Sequence, residues 1–332
     1  MRSLRQTAYG YSSLSFRLIA LDPPLLYAYR FFLKEGQISK YSAVRDKLGF
    51  LTIEPKPTAE ILSHHYSTTY YHNPRGTYSA TYSKEEVANR ISKFRLRLFA
   101  IQQQSSLLGN SQKALDIGCG EGFMLSYLRQ LGFSITGLDY SSEGIRKHNP
   151  EILNYLIQGD VIESMEDLAS QNHTFDLLVV GNVLEHAINV EAFLSIIKRL
   201  MHPESVCIFA VPNDESDFQT LLQSSRCIDG NYFLSPPEHL NYFNSVTLRN
   251  VLEHYGFVLL DLFSEFPIEW FLANPNSNYV NKPQFGPGAH AARCLIETSL
   301  NDHADLSEVL LFYRAFAKLG HVRVLNAICR LI

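Results

Sequence analysis

The residues best suited to chemistry stand in Ala114-Leu-Asp-Ile-Gly-Cys-Gly-Glu-Gly122. Gly118, Gly120 and Gly122 follow a short apolar run, Lys113 to Ile117, and precede a helical pattern, so they fall at a strand-to-helix turn. Glycines there let the backbone turn sharply and approach a ligand closely, and the helix N-terminus beyond favours negative charge such as a carboxylate. A glycine turn without a ligand is the plain alternative, and two acids weigh against it. Asp139 ends the next apolar run, Ser134 to Leu138, where a carboxylate can accept hydrogen bonds from both hydroxyls of a ribose. Asp160 ends the run Tyr155 to Gln158. It can accept from an adenine amine while Val161 packs on the ring, or N-cap the stretch that follows.

A second group could move protons. Glu185 and His186 follow the apolar run Phe175 to Val180, and His239 follows Pro236-Pro237-Glu238 in a loop. Imidazole and carboxylate groups in such positions serve as general bases, with His239 the preferred candidate. Glu185 and His186 have a bland alternative, capping and bracing the next helix. Tyr70 and Tyr71 belong to a tyrosine-rich stretch that serves either as a lid or as packing.

These residues need elements to position them. A helical pattern spans Lys84 to Gln104. After the glycine loop, Phe123, Tyr127, Leu128 and Leu131 mark one helix face, and Gly132 ends it. A helix over Val190 to Met201 ends near Pro203, a strand covers Val206 to Val211, Ser245 caps a helix closed by Gly256, and a strand covers Phe257 to Leu262. Strands alternating with helices imply an α/β fold, a mostly parallel sheet covered on both faces. Ligands then bind beyond the carboxyl ends of the strands. Three zones follow: 1–108, a Tyr-rich N-terminal extension or lid; 109–262, the nucleotide-type domain; and 263–332, a loop, a helix and a last strand.

Bulk properties exclude several classes. The formal net charge of −4 and the lack of a basic stripe give no reason to expect nucleic acid as partner. The five cysteines, Cys119, Cys207, Cys227, Cys294 and Cys329, are scattered and odd in number, which argues against a disulfide framework and a zinc ribbon. No metal ligands are expected. No apolar run reaches the ~18–20 residues of a membrane span, and a cytoplasmic location is the simplest reading. The first 21 residues, with Arg2, Arg5 and Arg17 and no acid before Asp22, are faintly like an organelle transit peptide.

Taken together, the motifs resemble the class I S-adenosylmethionine-dependent methyltransferases over about residues 110–262. The glycine loop is similar to their first motif, Asp139 to the acidic second, Gly159-Asp160 to the third, and Phe175 to His186 to the fourth in its Leu-Glu-His form. Pro55 to Tyr71 resembles, more weakly, a segment of methyltransferases from sugar and surface-polysaccharide pathways. With no cysteine before Cys119, the zinc site of some of those relatives is absent. The resemblance implies a seven-stranded Rossmann-like sheet whose last strand, after Gly320, is antiparallel, with the 304–319 helix as its crossover. It implies S-adenosyl-L-methionine as cofactor. Gly118, Cys119 and Gly120 would line its methionine end, Asp116 would help hold its amino group, Asp139 would bind the ribose, Asp160 and Val161 the adenine, and Asn182 would sit beside the sulfonium, with Gly122 and Tyr140 as further cofactor-binding residues. NAD fits less well, because the third glycine of GxGxxG is Phe123 here. The expected activity is methyl transfer to a small-molecule acceptor, a sugar or sugar-linked intermediate being the candidate. The alternatives are a macromolecular acceptor or an inactive cofactor-binding module. Oligomeric state is left open.

Overall fold

The computed structural model describes residues 29–32, 38–58, 61–62, 81–106 and 111–332. Tyr70, Tyr71 and the transit-like N-terminus lie outside them. In chain order the elements begin with strands β1 (Tyr29–Phe32), β2 (Ile38–Arg45) and β3 (Leu51–Glu54), then helix α1 (Lys84–Gln102). The central region follows as β4 (Lys113–Ile117), α2 (Phe123–Gln130), β5 (Ser134–Asp139), α3 (Glu143–His148), β6 (Leu156–Gln158), α4 (Val161–Ser170), β7 (Phe175–Gly181), α5 (Val190–Arg199) and β8 (Met201–Pro212). The chain ends as α6 (Asp217–Ser224), β9 (Asn241–Tyr242), α7 (Ser245–His254), β10 (Phe257–Ser264), α8 (Gly286–His303), α9 (Leu306–Leu319) and β11 (Val324–Leu331).

Seven strands form the main sheet in the order β10-β11-β8-β7-β4-β5-β6. β4 through β8 pair in parallel, and β11 runs antiparallel between β8 and β10. The fold is thus Rossmann-like α/β, and the antiparallel last strand after the α9 crossover stands where the sequence put it. Side chains alternate along each strand, so both faces are covered. Leu115, Ile117, Leu178 and Val180 face α4, α5 and α7. Ala114, Leu177 and Val179 face α1, α2 and α9. The chain leaves β4 toward β5 and β6, then returns to β7 on the other side. This reversal opens a crevice between the carboxyl ends of β4 and β7.

A smaller antiparallel sheet, β1-β2-β3-β9, joins the N-terminal strands to a two-residue strand from the 214–243 stretch. It buries Tyr41, Ala43, Leu51, Ile53, Phe233 and Tyr242 in a core of its own.

Four local expectations change. The buried side of α2 is Met124, Leu125 and Leu128, and Leu131 lies past the helix end, 39% exposed. α5 stops at Arg199, and Pro203 falls inside β8. The β7–β8 register jumps there, from Phe175↔Met201 to Leu177↔Val206, and such an irregularity tolerates a proline. Asn244, not Ser245, caps α7, its side chain accepting from Val246 and Thr247 N–H. Residues 286–303, read as loop over most of their length, form the long helix α8. Among the described residues no helix is long and apolar enough to cross a membrane.

Candidate active site

The glycine loop leaves β4 with Gly118, Gly120 and Gly122 all at positive φ, +69°, +56° and +75°. A Cβ at Gly118 would meet Val183 Cγ2 at 2.5 Å, and one at Gly122 would meet Ile152 Cδ1 at 2.6 Å. Gly118 therefore packs against the turn after β7, at the strand reversal, and neither it nor Gly122 has room for a Cβ. Asp139 fixes it from β5: its carboxylate accepts from Gly120 N–H at 2.8 Å and Ser141 N–H at 3.0 Å. Gly118 and Cys119 N–H both donate to Leu138 O. Asp116 is 4% exposed beneath the loop. Burial first, then the charge of Asp139, pushes its carboxyl up to about 7 against the pull of Arg97. Cys119 is buried, its thiol pushed up by burial and by Asp116 and Asp139.

Asp160 ends β6 and N-caps α4, Oδ1 accepting from Ile162 and Glu163 N–H at 2.8 and 3.0 Å. Val161 opens that helix, and Tyr140 follows Asp139 directly. Asn182, just after β7, holds a left-handed φ of +56° and donates its N–H to Ala210 O at 2.8 Å. A non-glycine residue in that region carries strain that clusters at functional sites.

The three proton-handling candidates converge. Glu185, His186 and His239 bring one ligand atom each to within 4.8 Å of one another, a set that could hold a metal ion. Glu185 and His186 sit in a short 3-10 turn after β7. The small sheet carries His239 to them: Ile53 N–H donates to Leu240 O, Leu240 N–H donates to Glu185 O, both at 2.9 Å, and Asn241 Nδ2 donates to Ala187 O at 2.7 Å. His186 Nδ1 lies 2.6 Å from Glu238 O, and the two imidazoles stand edge to face at 5.0 Å. Asn189, not Glu185 or His186, caps α5. Glu185 is 1% exposed, and neither carboxylate oxygen has a hydrogen-bond partner among the described residues. Burial pushes it up to about 8, its own backbone N–H opposing and Asp214 assisting. Burial, then His186 and Arg323, pulls the His239 ring down to about 3. Beside the trio, Asp214 and Arg323 form an ion pair, and Gln219 Nε2 donates to Glu269 at 2.9 Å.

Sequence reasoning missed the wall formed by α1. Tyr82 donates to Glu121 in the glycine loop, and the Arg90 guanidinium lies 4.2 Å over the Tyr82 ring and 3.9 Å from Glu121. Arg90, Lys93 and Arg97 follow at helical spacings of three and four, a one-face pattern visible in the sequence. They line a cavity of about 410 Å³ together with Asn182, Glu265 and, from α8, His290 and Arg293.

A family model described as a methyltransferase domain matches residues 83–262, a little over half of the chain. The chain belongs to this methyltransferase-domain family. The match opens at Ser83, the N-cap of α1, so the helix that closes the cavity is part of the methyltransferase unit. The chain is similar to the human mitochondrial ubiquinone biosynthesis O-methyltransferase, 34% identical over 107 residues, 31% of this chain and 28% of that protein. It is similar to the Citrobacter koseri ubiquinone biosynthesis O-methyltransferase, 25% identical over 173 residues, 48% of this chain and 70% of that protein. The chain thus spans less than a third of the human relative. Among solved structures, a SAM dependent methyltransferase from Archaeoglobus fulgidus aligns at 21% identity and a TM-score of 0.46, over 73% of this chain and 94% of that one.

Proposed function

We propose that this methyltransferase transfers the methyl group of S-adenosyl-L-methionine to a hydroxyl of a small-molecule acceptor, with the cofactor held at the β4–β7 crevice. The observation that carries the reading is the glycine loop, left-handed at three positions, braced by Asp139 and too close to Val183 to admit a Cβ. Such a loop presents bare backbone to a ligand. Asp116, buried and held near pH 7, is suited to a cationic amino group, which would favour its ionised form. Asp139 would take the ribose, with Tyr140 beside it, and Asp160 and Val161 the adenine. Gly118, Cys119, Gly120 and Gly122 would line the methionine end beside Asn182. The bound cofactor supplies an activated methyl, so in-line positioning provides much of the rate. A hydroxyl acceptor is favoured by the two relatives, both named as O-methyltransferases. A sugar or sugar-linked intermediate belongs to the same class of hydroxyl acceptor.

The acceptor proton falls to the Glu185–His186–His239 trio. In the first reading His239, neutral above about pH 3, accepts it. An imidazole held that low binds a proton weakly, and this favours a second reading. Glu185, His186 and His239 would hold a divalent cation, to which the buried Glu185 oxygens, without a hydrogen-bond partner among the described residues, are suited. When bound, such an ion would lower the pKa of an acceptor hydroxyl. Titrating Mg2+, Mn2+ and Zn2+ against wild type and Glu185→Gln separates the two. Binding that Glu185→Gln abolishes supports the metal reading, and no binding returns the role to His239.

The cofactor assignment is tested by melting the protein with S-adenosylmethionine, S-adenosylhomocysteine and NAD separately. A ligand at 100 times its Kd stabilises by about 2.7 kcal/mol. A shift with the two adenosyl compounds is expected. A shift with NAD alone refutes the assignment.

A further inference from the structure

One side of α9 does what a helix laid on a sheet must do. Val309, Leu310, Tyr313 and Ala317, at helical spacing, are buried against the core. The opposite face of such a helix is ordinarily polar. Here it is apolar. Leu311 is 54% exposed, Phe312 42% and Leu319 60%, and Ala315 stands exposed among them. The Phe312 ring leans on Phe316, centroids 4.5 Å apart, and Phe316 meets Trp270 at 5.1 Å. Trp270 sits in the 3-10 turn Ile268–Ala273 after β10 and is 46% exposed, although its indole has a large apolar surface to bury. Single exposed apolar side chains are ordinary. A contiguous set of them marks a contact surface.

The charges on this face point to its occupant. Glu308 stands in the first turn of α9 and Lys318 in the last, both exposed, and neither is paired among the described residues. Arg314, on the flank between them, is already held by Asp261 at 2.6 Å. An anionic bilayer surface favours an apolar face rimmed by cations, and Glu308 does not suit that rim. A second copy of the same helix, laid antiparallel, answers both ends. A two-fold axis pairs residue i with j and j with i, so the acid of each copy meets the lysine of the other. With the axis between Tyr313 and Arg314, Phe312 comes level with Ala315 of the second copy, Leu311 with Phe316, and Glu308 with Lys318 and Leu319. One register therefore sets a large ring beside the smallest side chain of the face, as close helix packing requires, and matches the charges.

We propose that this protein self-associates as a two-fold dimer through the outer face of α9, with Trp270 at the rim of the contact. One helix face and one indole make a small interface beside those of stable complexes, so the dimer is expected to form weakly, in the micromolar range.

The test is sedimentation velocity of the full chain in reducing buffer, from low micromolar to submillimolar concentration. Wild type is expected to pass from monomer to dimer. Trp270 is the only tryptophan of the chain, so its emission should move to shorter wavelength over the same range as the indole leaves water. Ala315→Arg puts a long cation at the centre of the face, at an exposed helical position. It should weaken association at least tenfold, hold the emission at its monomer wavelength and leave the melting temperature of dilute protein unchanged. Glu308→Lys and Lys318→Glu should each weaken association, because each sets like charges together, and the double exchange should restore it. Wild type that stays monomeric throughout overturns the proposal. So does association that Ala315→Arg leaves intact or that the double exchange fails to restore, because the contact then lies elsewhere or in another register. A monomer that sediments with phosphatidylglycerol vesicles would give the face to lipid, and a monomer whose Trp270 resists acrylamide quenching would give it to another segment of the same chain. Either result overturns the dimer.

Discussion

Replacing Glu185 by glutamine should make the protein more stable, and more so as pH rises. Glu185 is 1% exposed, with neither carboxylate oxygen hydrogen-bonded among the described residues. Burial raises it from 4.5 to about 8. The folded state therefore keeps the proton up to about pH 8, while the unfolded chain releases it above 4.5. Across that window the folded state binds more protons, so this group's contribution to stability falls as pH rises. One pKa unit is worth about 1.4 kcal/mol. The loss between pH 5 and pH 7 then comes to about 2–3 kcal/mol. Glutamine is uncharged and nearly isosteric with the protonated acid, so Glu185→Gln lacks this loss. Other titrating groups contribute equally to both proteins and cancel in the difference. The assay is urea unfolding of both at pH 5, 6, 7 and 8 in EDTA, which removes any divalent ion from the trio. The stability gap should widen with pH. Parallel curves would mean that Glu185 is ionised and solvated in the folded protein, and the trio as described would be wrong.

Three further substitutions probe the site. Asp139→Ala removes the acceptor for Gly120 and Ser141 N–H. Hydrogen bonds to charged groups are worth about 1.5–3 kcal/mol, so S-adenosylhomocysteine affinity by calorimetry should fall at least tenfold, and unchanged affinity would remove Asp139 from the cofactor site. His239→Ala should leave that affinity within twofold while lowering turnover of any accepted substrate by about 10²–10⁴, and wild-type turnover would show that His239 moves no proton. Gly118→Ala must hold alanine at φ +69° and push its Cβ onto Val183. About 1–2 kcal/mol of backbone strain and about 1–3 kcal/mol of overpacking should appear as a lowered melting temperature together with weakened cofactor binding, whereas a wild-type melting temperature would show that the loop is not tightly packed.

Much of the sheet was legible because its signals are local. Apolar runs of strand length, helical spacings and glycine stops reflect which faces must be buried, and each is written over a few adjacent residues. That located β4 through β8, placed Gly118 to Gly122 at a turn and put Asp139 and Asp160 at strand ends. Local signals also misled. Pro203 reads as a helix stop, yet it lies in β8, because only the pairing with β7 creates the irregularity that accommodates it. Leu131 fits the helix period, yet the helix ends before it.

What the sequence determined alone was the class of fold and which residues stand at the turns beyond the strands, since turn chemistry and burial pattern do not depend on distant neighbours. What the tertiary structure decided was company. Nothing in the spacing of Glu185 and His239 says that they meet. They do so because β3 pairs with β9 and hands Leu240 to the backbone of Glu185. Lys93, Glu265 and Arg293 stand in three separate elements, and only the packing of α1 and α8 over the end of β10 concentrates their charges in one cavity. Charge and proton affinity depend on distance and burial, and both are set only when the chain has closed.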